Sequence, residues 1–214
     1  MKGLSPVLEA SLIAADGDLL VVNKPSGLLC QPGLGPALAD SLLTRLRGTW
    51  PSAQLVHRLD RDTSGLLLLA LTPELHRALS GLFAQRLVRK TYRADVAGVP
   101  LEQEGRITLA IAKRSHRPPL YGPDPTGKPC RTDWRLLGVA LDQCSSRLEL
   151  TPHTGRSHQL RVHLAAVGHP ILGDPLYGSP QAPHSNRLRL HASGLAFQHP
   201  FSAEQLQFQA PCPF

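Results

Sequence analysis

Apolar runs of strand length, alternating irregularly with short stretches of helical spacing, predict an α+β domain built on a mixed sheet. Two observations carry this expectation. Residues 66–71 are the longest apolar run, which is strand-sized and far below a membrane span. Directly after it, Thr72-Pro73 supplies a cap residue and a proline at the first helical position. Leu75, Leu79, Leu82 and Phe83 then follow at helical spacing, the stripe of an ordinary core-facing helix. No internal repeat, heptad pattern or Gly/Ser linker divides the 214 residues, so one domain is expected.

Taken in order, residues 19–22 predict a strand between Gly17-Asp18 and the Lys24-Pro25 turn. Residues 31–36 form a Gly/Pro-rich loop. Asp40 is the expected cap of a short helix that puts Leu42, Leu43 and Leu46 on one face. Residues 66–71 lack alternation, as a strand covered on both faces does. Residues 91–96 predict a strand. Residues 113–131 are basic and rich in proline, and predict a long loop or irregular hairpin. Residues 147–151 alternate like a half-buried strand. Ser157 is the expected cap of a helix running to Val167, with Gly168 just past its end. Residues 188–190 and 195–197 read as two late strands.

Lys and Arg number 23 against 16 Asp and Glu, a formal net charge of +7 in a chain with no basic tail. Polyanions are the natural partners of such a surface, nucleic acid first, the other reading being a basic enzyme whose charge keeps it dispersed. The cysteines, Cys30, Cys130, Cys144 and Cys212, are widely spaced. That argues against a cysteine zinc site or a disulfide framework and for free thiols in a reducing cytoplasm. The apolar stretch of residues 12–15 is too short for a signal peptide.

Two polar clusters could hold chemistry. His57-Arg58-Leu59-Asp60-Arg61-Asp62-Thr63-Ser64-Gly65 precedes the leucine run. Charged residues gathered at a strand's edge are costly to bury and useful at a site. Asp60 and Asp62 are equivalent on these grounds, so a solvated ion-paired turn and a paired-carboxylate glycosidase both stay open. The second cluster spans residues 154–163, TGRSHQLRVH. Arg156 stands just ahead of the expected helix, where its guanidinium could grip a carboxylate in bidentate fashion. His158 and His163 fall on different helix faces and lack the spacing of a metal pair, so capping and packing suit them better. The chain has no P-loop and no dinucleotide fingerprint.

Residues 57–70, HRLDRDTSGLLLLA, resemble the signature of the RluA family of pseudouridine synthases. Residues 18–33, DLLVVNKPSGLLCQPG, resemble that family's opening strand and turn, and Lys90-Thr91-Tyr92 its K-x-Y motif. Residues 154–177, TGRSHQLRVHLAAVGHPILGDPLY, resemble its third motif, and Arg189-Leu190-His191-Ala192 with His199-Pro200 complete the pattern in order. The wording is most similar to the family's short members, which act on both 23S ribosomal RNA and tRNA anticodon stem-loops. Departures are few: His153 stands where a small apolar residue is common, and Arg131 and Trp134 vary a segment that often differs between members.

The resemblance implies a single catalytic domain over residues 18–214, with a largely antiparallel central sheet flanked by helices and loops. Residues 1–17 are an extension without counterpart, and there is no S4 domain ahead of the catalytic one. It implies an isomerase that turns RNA uridine into pseudouridine without metal or organic cofactor. By the same resemblance Asp60 is the catalytic carboxylate, paired with Arg156. Tyr92 stacks on the target base and takes part in proton transfer at C5, and Arg58 enters the RNA stack where that base leaves. Phosphate contacts suit Lys113, Arg114 and Arg117 of the basic segment. The expected partner is ribosomal or transfer RNA, with no DNA or membrane partner, and the protein is expected to be a cytoplasmic monomer. Two other readings remain at this point, a non-catalytic RNA-binding protein and a hydrolase pairing Asp60 with Asp62 or Asp174.

Overall fold

Four consecutive leucines, Leu66 to Leu69, leave a strand no polar face, so it must be covered on both sides. In the computed structural model, which describes residues 11–116 and 119–214, the strand Ser64–Ala70 is buried at every position. In chain order the elements are β1 (Leu12–Asp16), β2 (Leu19–Lys24), α1 (Leu42–Leu46), β3 (Gln54–Leu55), β4 (Ser64–Ala70), α2 (Pro73–Ala84) and β5 (Arg89–Ala97). There follow β6 (Glu104–Ile107), β7 (Ile111–His116), β8 (Pro119–Pro123), β9 (Thr132–Val139), β10 (Ser145–Pro152), α3 (Gln159–Ala166), β11 (Leu190–Gln198) and β12 (Gln205–Gln209). The class is α+β, as expected.

The chain's contacts group into two units. The first holds the chain up to Arg89 together with Ala192–Cys212. Its strands lie in the order β1-β2-β4-β11, with β12 beside β11 and β3 beside β4. β2 and β4 pair antiparallel from Leu19↔Ala70 to Lys24↔Gly65. One face of this pair, with Leu66, Leu68, Leu19 and Val21, packs with Leu75 and Leu79 of α2 and with Leu195 and Phe197 of β11. The other face, with Leu67, Leu69, Leu20 and Val22, packs with Leu42, Leu43 and Leu46 of α1. Gly65, second in β4, sits at φ +115, and a Cβ there would collide with the backbone of Ala192, so only glycine fits.

α2 starts as the sequence predicts, with the Thr72 hydroxyl accepting from the Leu75 amide. The start of α1 corrects the expectation. Its cap is Ser41, whose hydroxyl accepts from the Thr44 amide, while Asp40 makes a two-point ion pair with Arg45 at 2.8 and 2.6 Å. The guanidinium draws the carboxylate away from the helix end, and the next hydroxyl replaces it. β1 was not anticipated. It lies in the segment read as an extension and pairs antiparallel with β2. The rest of that segment, residues 1–10, lies outside the described residues.

The second unit holds Lys90–His191 and Pro213–Phe214. Its strands lie in the order β5-β10-β9-β6, each pair antiparallel. β10 alternates half-buried and buried positions without a break, as the sequence predicts. Its inward residues Leu148 and Leu150 pack with Ala94 and Val96 of β5 and with Leu160 and Leu164 of α3. The basic segment forms the β7–β8 hairpin and then a loop, while β6 and β9 were not foreseen. The helix cap corrects a second expectation. Ser157 does not cap α3; the cap position is His158, left-handed at φ 56, without a side-chain cap bond. The turn is closed instead by the Gln159 amide on the Arg156 carbonyl. Gly168 follows the helix at φ +86. The two late strands are one, β11, with Leu188 buried just before it.

Candidate active site

A charged loop is useful to chemistry only if its backbone is fixed, and residues 57–63 are fixed at almost every step. The His57 Nε2 accepts the Leu68 amide at 3.1 Å, which places that ring's proton on Nδ1, and the ring stacks on Phe83 at 4.5 Å. The Cys30 thiol donates to the Leu59 carbonyl at 3.2 Å and its sulfur accepts the Leu59 amide at 3.3 Å. Burial pushes the Cys30 pKa up, against the opposing pull of Lys24 and Arg58, so the sulfur keeps the proton it donates. The Arg61 carbonyl accepts from the Gly27 amide and from the Lys24 ammonium. The Ser26 hydroxyl donates to the Asp62 carbonyl at 2.6 Å. The Thr63 amide closes the turn on the Asp60 carbonyl.

Lys24 holds this arrangement together. It is fully buried, and its ammonium donates at 2.8 Å to the carbonyls of Pro25, Leu28 and Arg61. Three acceptors match its three donors, which is what lets a cation lie at 0% exposure. Lys24 and Cys30 escaped the sequence reading because their partners are main-chain atoms, among them Arg61 and Leu59 far along the chain. A lysine closing an apolar strand is the only local signal.

The carboxylates are no longer equivalent. Asp62 pairs with its neighbour Arg61 at 3.1 Å. Asp174 is buried, bound in two-point fashion to buried Arg161 at 2.7 Å, and also accepts the Leu176 and Tyr177 amides. Such a carboxylate braces the fold and is closed to substrate, which removes Asp174 as partner in a hydrolase. Asp60 is half-buried in the loop and Arg58 is exposed.

In the second unit, Tyr92 lies on β5 on the face shared with Ala94 and Val96, against the apolar core. Lys90, two positions earlier on that face, donates to the Thr154 carbonyl at 3.3 Å, so the strand of Tyr92 is tied to the turn of Arg156. That turn is organised by Gln159, whose buried amide is satisfied at both ends. Its oxygen accepts from the Thr154 hydroxyl at 2.7 Å and the Arg156 amide at 3.1 Å. Its nitrogen donates to the Arg131 carbonyl and the Thr132 hydroxyl, each at 3.0 Å. Arg156 itself is exposed. Gln159 was missed because a polar residue opening a helix looks like surface. His158 bonds the Tyr177 hydroxyl at 2.7 Å, and His163 bonds the Thr132 hydroxyl and the Leu109 carbonyl, so both serve packing.

Of the basic segment, Lys113 is exposed on β7. Arg114 is engaged across the hairpin with the Pro123 carbonyl and the Asp124 carboxylate. Arg117 lies outside the described residues. No helix among the described residues is long and apolar enough to cross a membrane.

Comparison with known proteins gives this geometry a family. Residues 18–166 match the RNA pseudouridylate synthase family model. The chain is 43% identical over 218 residues to the dual-specificity RNA pseudouridine synthase RluA of Salmonella typhi and to that of Escherichia coli strain K12, covering 100% of this chain and 99% of each relative. Among solved structures, human RNA pseudouridylate synthase domain containing 1 aligns at a TM-score of 0.80 and 32% identity, over 95% of this chain and 84% of its own. Human RNA pseudouridylate synthase domain containing 4 aligns at 0.78 and 25% identity, over 97% and 90%. With a family match across most of its length and near-complete overlap with these relatives, the chain belongs to the RluA family of RNA pseudouridine synthases, isomerases that convert uridine in RNA to pseudouridine.

Proposed function

We propose that this chain isomerises specific uridines of structured RNA, in 23S ribosomal RNA, in the tRNA anticodon stem-loop or in both, with Asp60 as the catalytic carboxylate. The observation that carries the assignment to Asp60 is the pinned backbone around it. Cys30, Lys24, Gly27 and Ser26 fix Leu59, Arg61 and Asp62. The names of the relatives, which call them dual-specificity, support two kinds of RNA substrate.

In this reading the N1–C1′ bond breaks, uracil turns, and C5 joins C1′. N1 gains a proton and C5 loses one, so the reaction needs no redox partner and no phosphoryl donor. Asp60 serves as nucleophile or base, and by the family resemblance Arg156 is its partner. Tyr92 holds the detached uracil by stacking, which leaves the ring free to turn. Arg58 fills the gap left by the flipped nucleotide, offsetting an unstacking cost of a few kcal/mol. Lys113 and Arg117 contact phosphate, and Arg114 stiffens the hairpin that carries Lys113. Residues 18–214 act as the catalytic domain, in a cytoplasmic monomer that uses no cofactor.

The test is release of tritium from unmodified RNA labelled at uracil C5, with Asp60→Asn in parallel. Wild type is expected to release tritium, and the variant to fall to background while still binding RNA. Turnover by Asp60→Asn at the wild-type rate would overturn the assignment.

A further inference from the structure

The outer surface of the second unit's sheet carries charges in rows across the strands. One row runs Arg93, Glu149, Arg135, Glu104, each opposite the next in register. It alternates in sign and sums to zero, and Arg135 pairs with Glu149 at 3.0 Å. The neighbouring row, at the strand ends that lead into the Arg156 turn, is different. There Asp133 alone receives three basic side chains. Arg106 donates through Nε at 2.9 Å, Arg131 through Nε and Nη2 at 3.2 and 2.8 Å, and His153 through Nε2 at 2.9 Å. Each carboxylate oxygen takes two donors, so its acceptor capacity is used up.

Two guanidiniums against one carboxylate leave a surplus of one positive charge, and of two when His153 is protonated. The surplus is held in place. Asp133 orders side chains that would otherwise be mobile, and ordering them in advance favours binding of an anion. Both terminal amino groups of Arg106 and the Nη1 of Arg131 have no protein partner among the described residues. A guanidinium anchored through Nε and open at its fork has the geometry that takes phosphate oxygens in pairs. Arg131 and His153 meet at this one carboxylate.

The cluster is wired to the proposed catalytic turn. The Arg131 amide donates to the Thr154 hydroxyl at 3.1 Å. The Gln159 amide that donates to the Arg131 carbonyl also accepts the Arg156 amide. We propose that Arg106, Arg131 and His153, gathered by Asp133, form a subsite for a backbone phosphate of the substrate RNA near the target uridine. The proposal rests on the RNA reading above. A phosphate seated there fixes the register of the strand and supplies affinity without reading a base.

The test measures binding of an RNA that the wild-type protein modifies in the tritium assay, using Asp60→Asn protein so that no turnover intervenes. Adding Arg106→Gln is expected to raise Kd about three- to tenfold and to lower the slope of log affinity against log salt by about one. Arg135→Gln, in the balanced row, is expected to change neither. With Asp60 intact, Arg106→Gln is expected to raise KM by a similar factor. An unchanged salt slope in Arg106→Gln, or an equal loss in Arg135→Gln, would overturn the subsite. Asp133→Asn gives an independent reading. It adds net positive charge but frees the anchored guanidiniums, so RNA should bind more weakly, and tighter binding would count against the anchoring. A wild-type protein that releases no tritium would instead defeat the underlying reading, so the two failures are distinct.

Discussion

Single side chains decide how well Asp60 is presented. Cys30 grips the residue before it through both a donated and an accepted hydrogen bond. Cys30→Ser can make the same pair, and Cys30→Ala can make neither. The alanine variant should lose about tenfold or more in kcat with little change in KM, while serine restores most of it. Equal rates for the two would remove Cys30 from the positioning of the loop. His163 offers a pH test. It is fully buried, and burial lowers its pKa below the ordinary 6.5, against a smaller upward pull from the Leu109 carbonyl. The unfolded chain therefore binds the proton more readily than the folded one. The stability tied to neutral His163 is complete above pH 6.5 and declines as pH falls through that value towards the folded pKa. Urea unfolding between pH 7.5 and 5 should show this decline, shallower in His163→Asn; identical slopes would mean the ring contributes nothing.

Among the elements, β4 bears most of the first unit's burial. Leu68→Ala empties a site buried beneath α2 and should cost about 2–5 kcal/mol in chemical denaturation. A cost under about 1 kcal/mol would mean that α2 collapses onto the gap. Legibility differed from element to element for physical reasons. β4 and α2 were plain because a run of leucines and a Thr-Pro start each admit few alternatives. The cap of α1 was misread because Asp40 is drawn off by Arg45, a competition invisible in the letters. α3 was misread at its start because Ser157 is an ordinary cap residue, whereas the cap position is a histidine in a backbone region that such residues seldom occupy. β6 and β9 were missed because their inward positions include Gly105 and Thr132 while exposed Leu137 and Val139 stand on β9, so neither shows a clean apolar alternation.

For the whole molecule, ordered motifs made the family and its chemistry legible, since a motif set names a reaction where periodicity names only a fold. The supports beneath the motifs, Lys24, Cys30 and Gln159, were not legible, because each has a partner distant in sequence that only folding brings near. Chain order carries one further consequence. The first unit is made of two stretches, and residues 90–191 lie between them. Leu195 and Phe197, which complete its core beside β4, leave the ribosome only after that intervening stretch has emerged. The first unit therefore waits with an unfinished core during synthesis, while most of the second is already available. Chains stalled after His191 should be digested rapidly by protease within residues 11–89, and chains extended through Cys212 should resist. Equal resistance in both would mean that the early segment folds without its late strands.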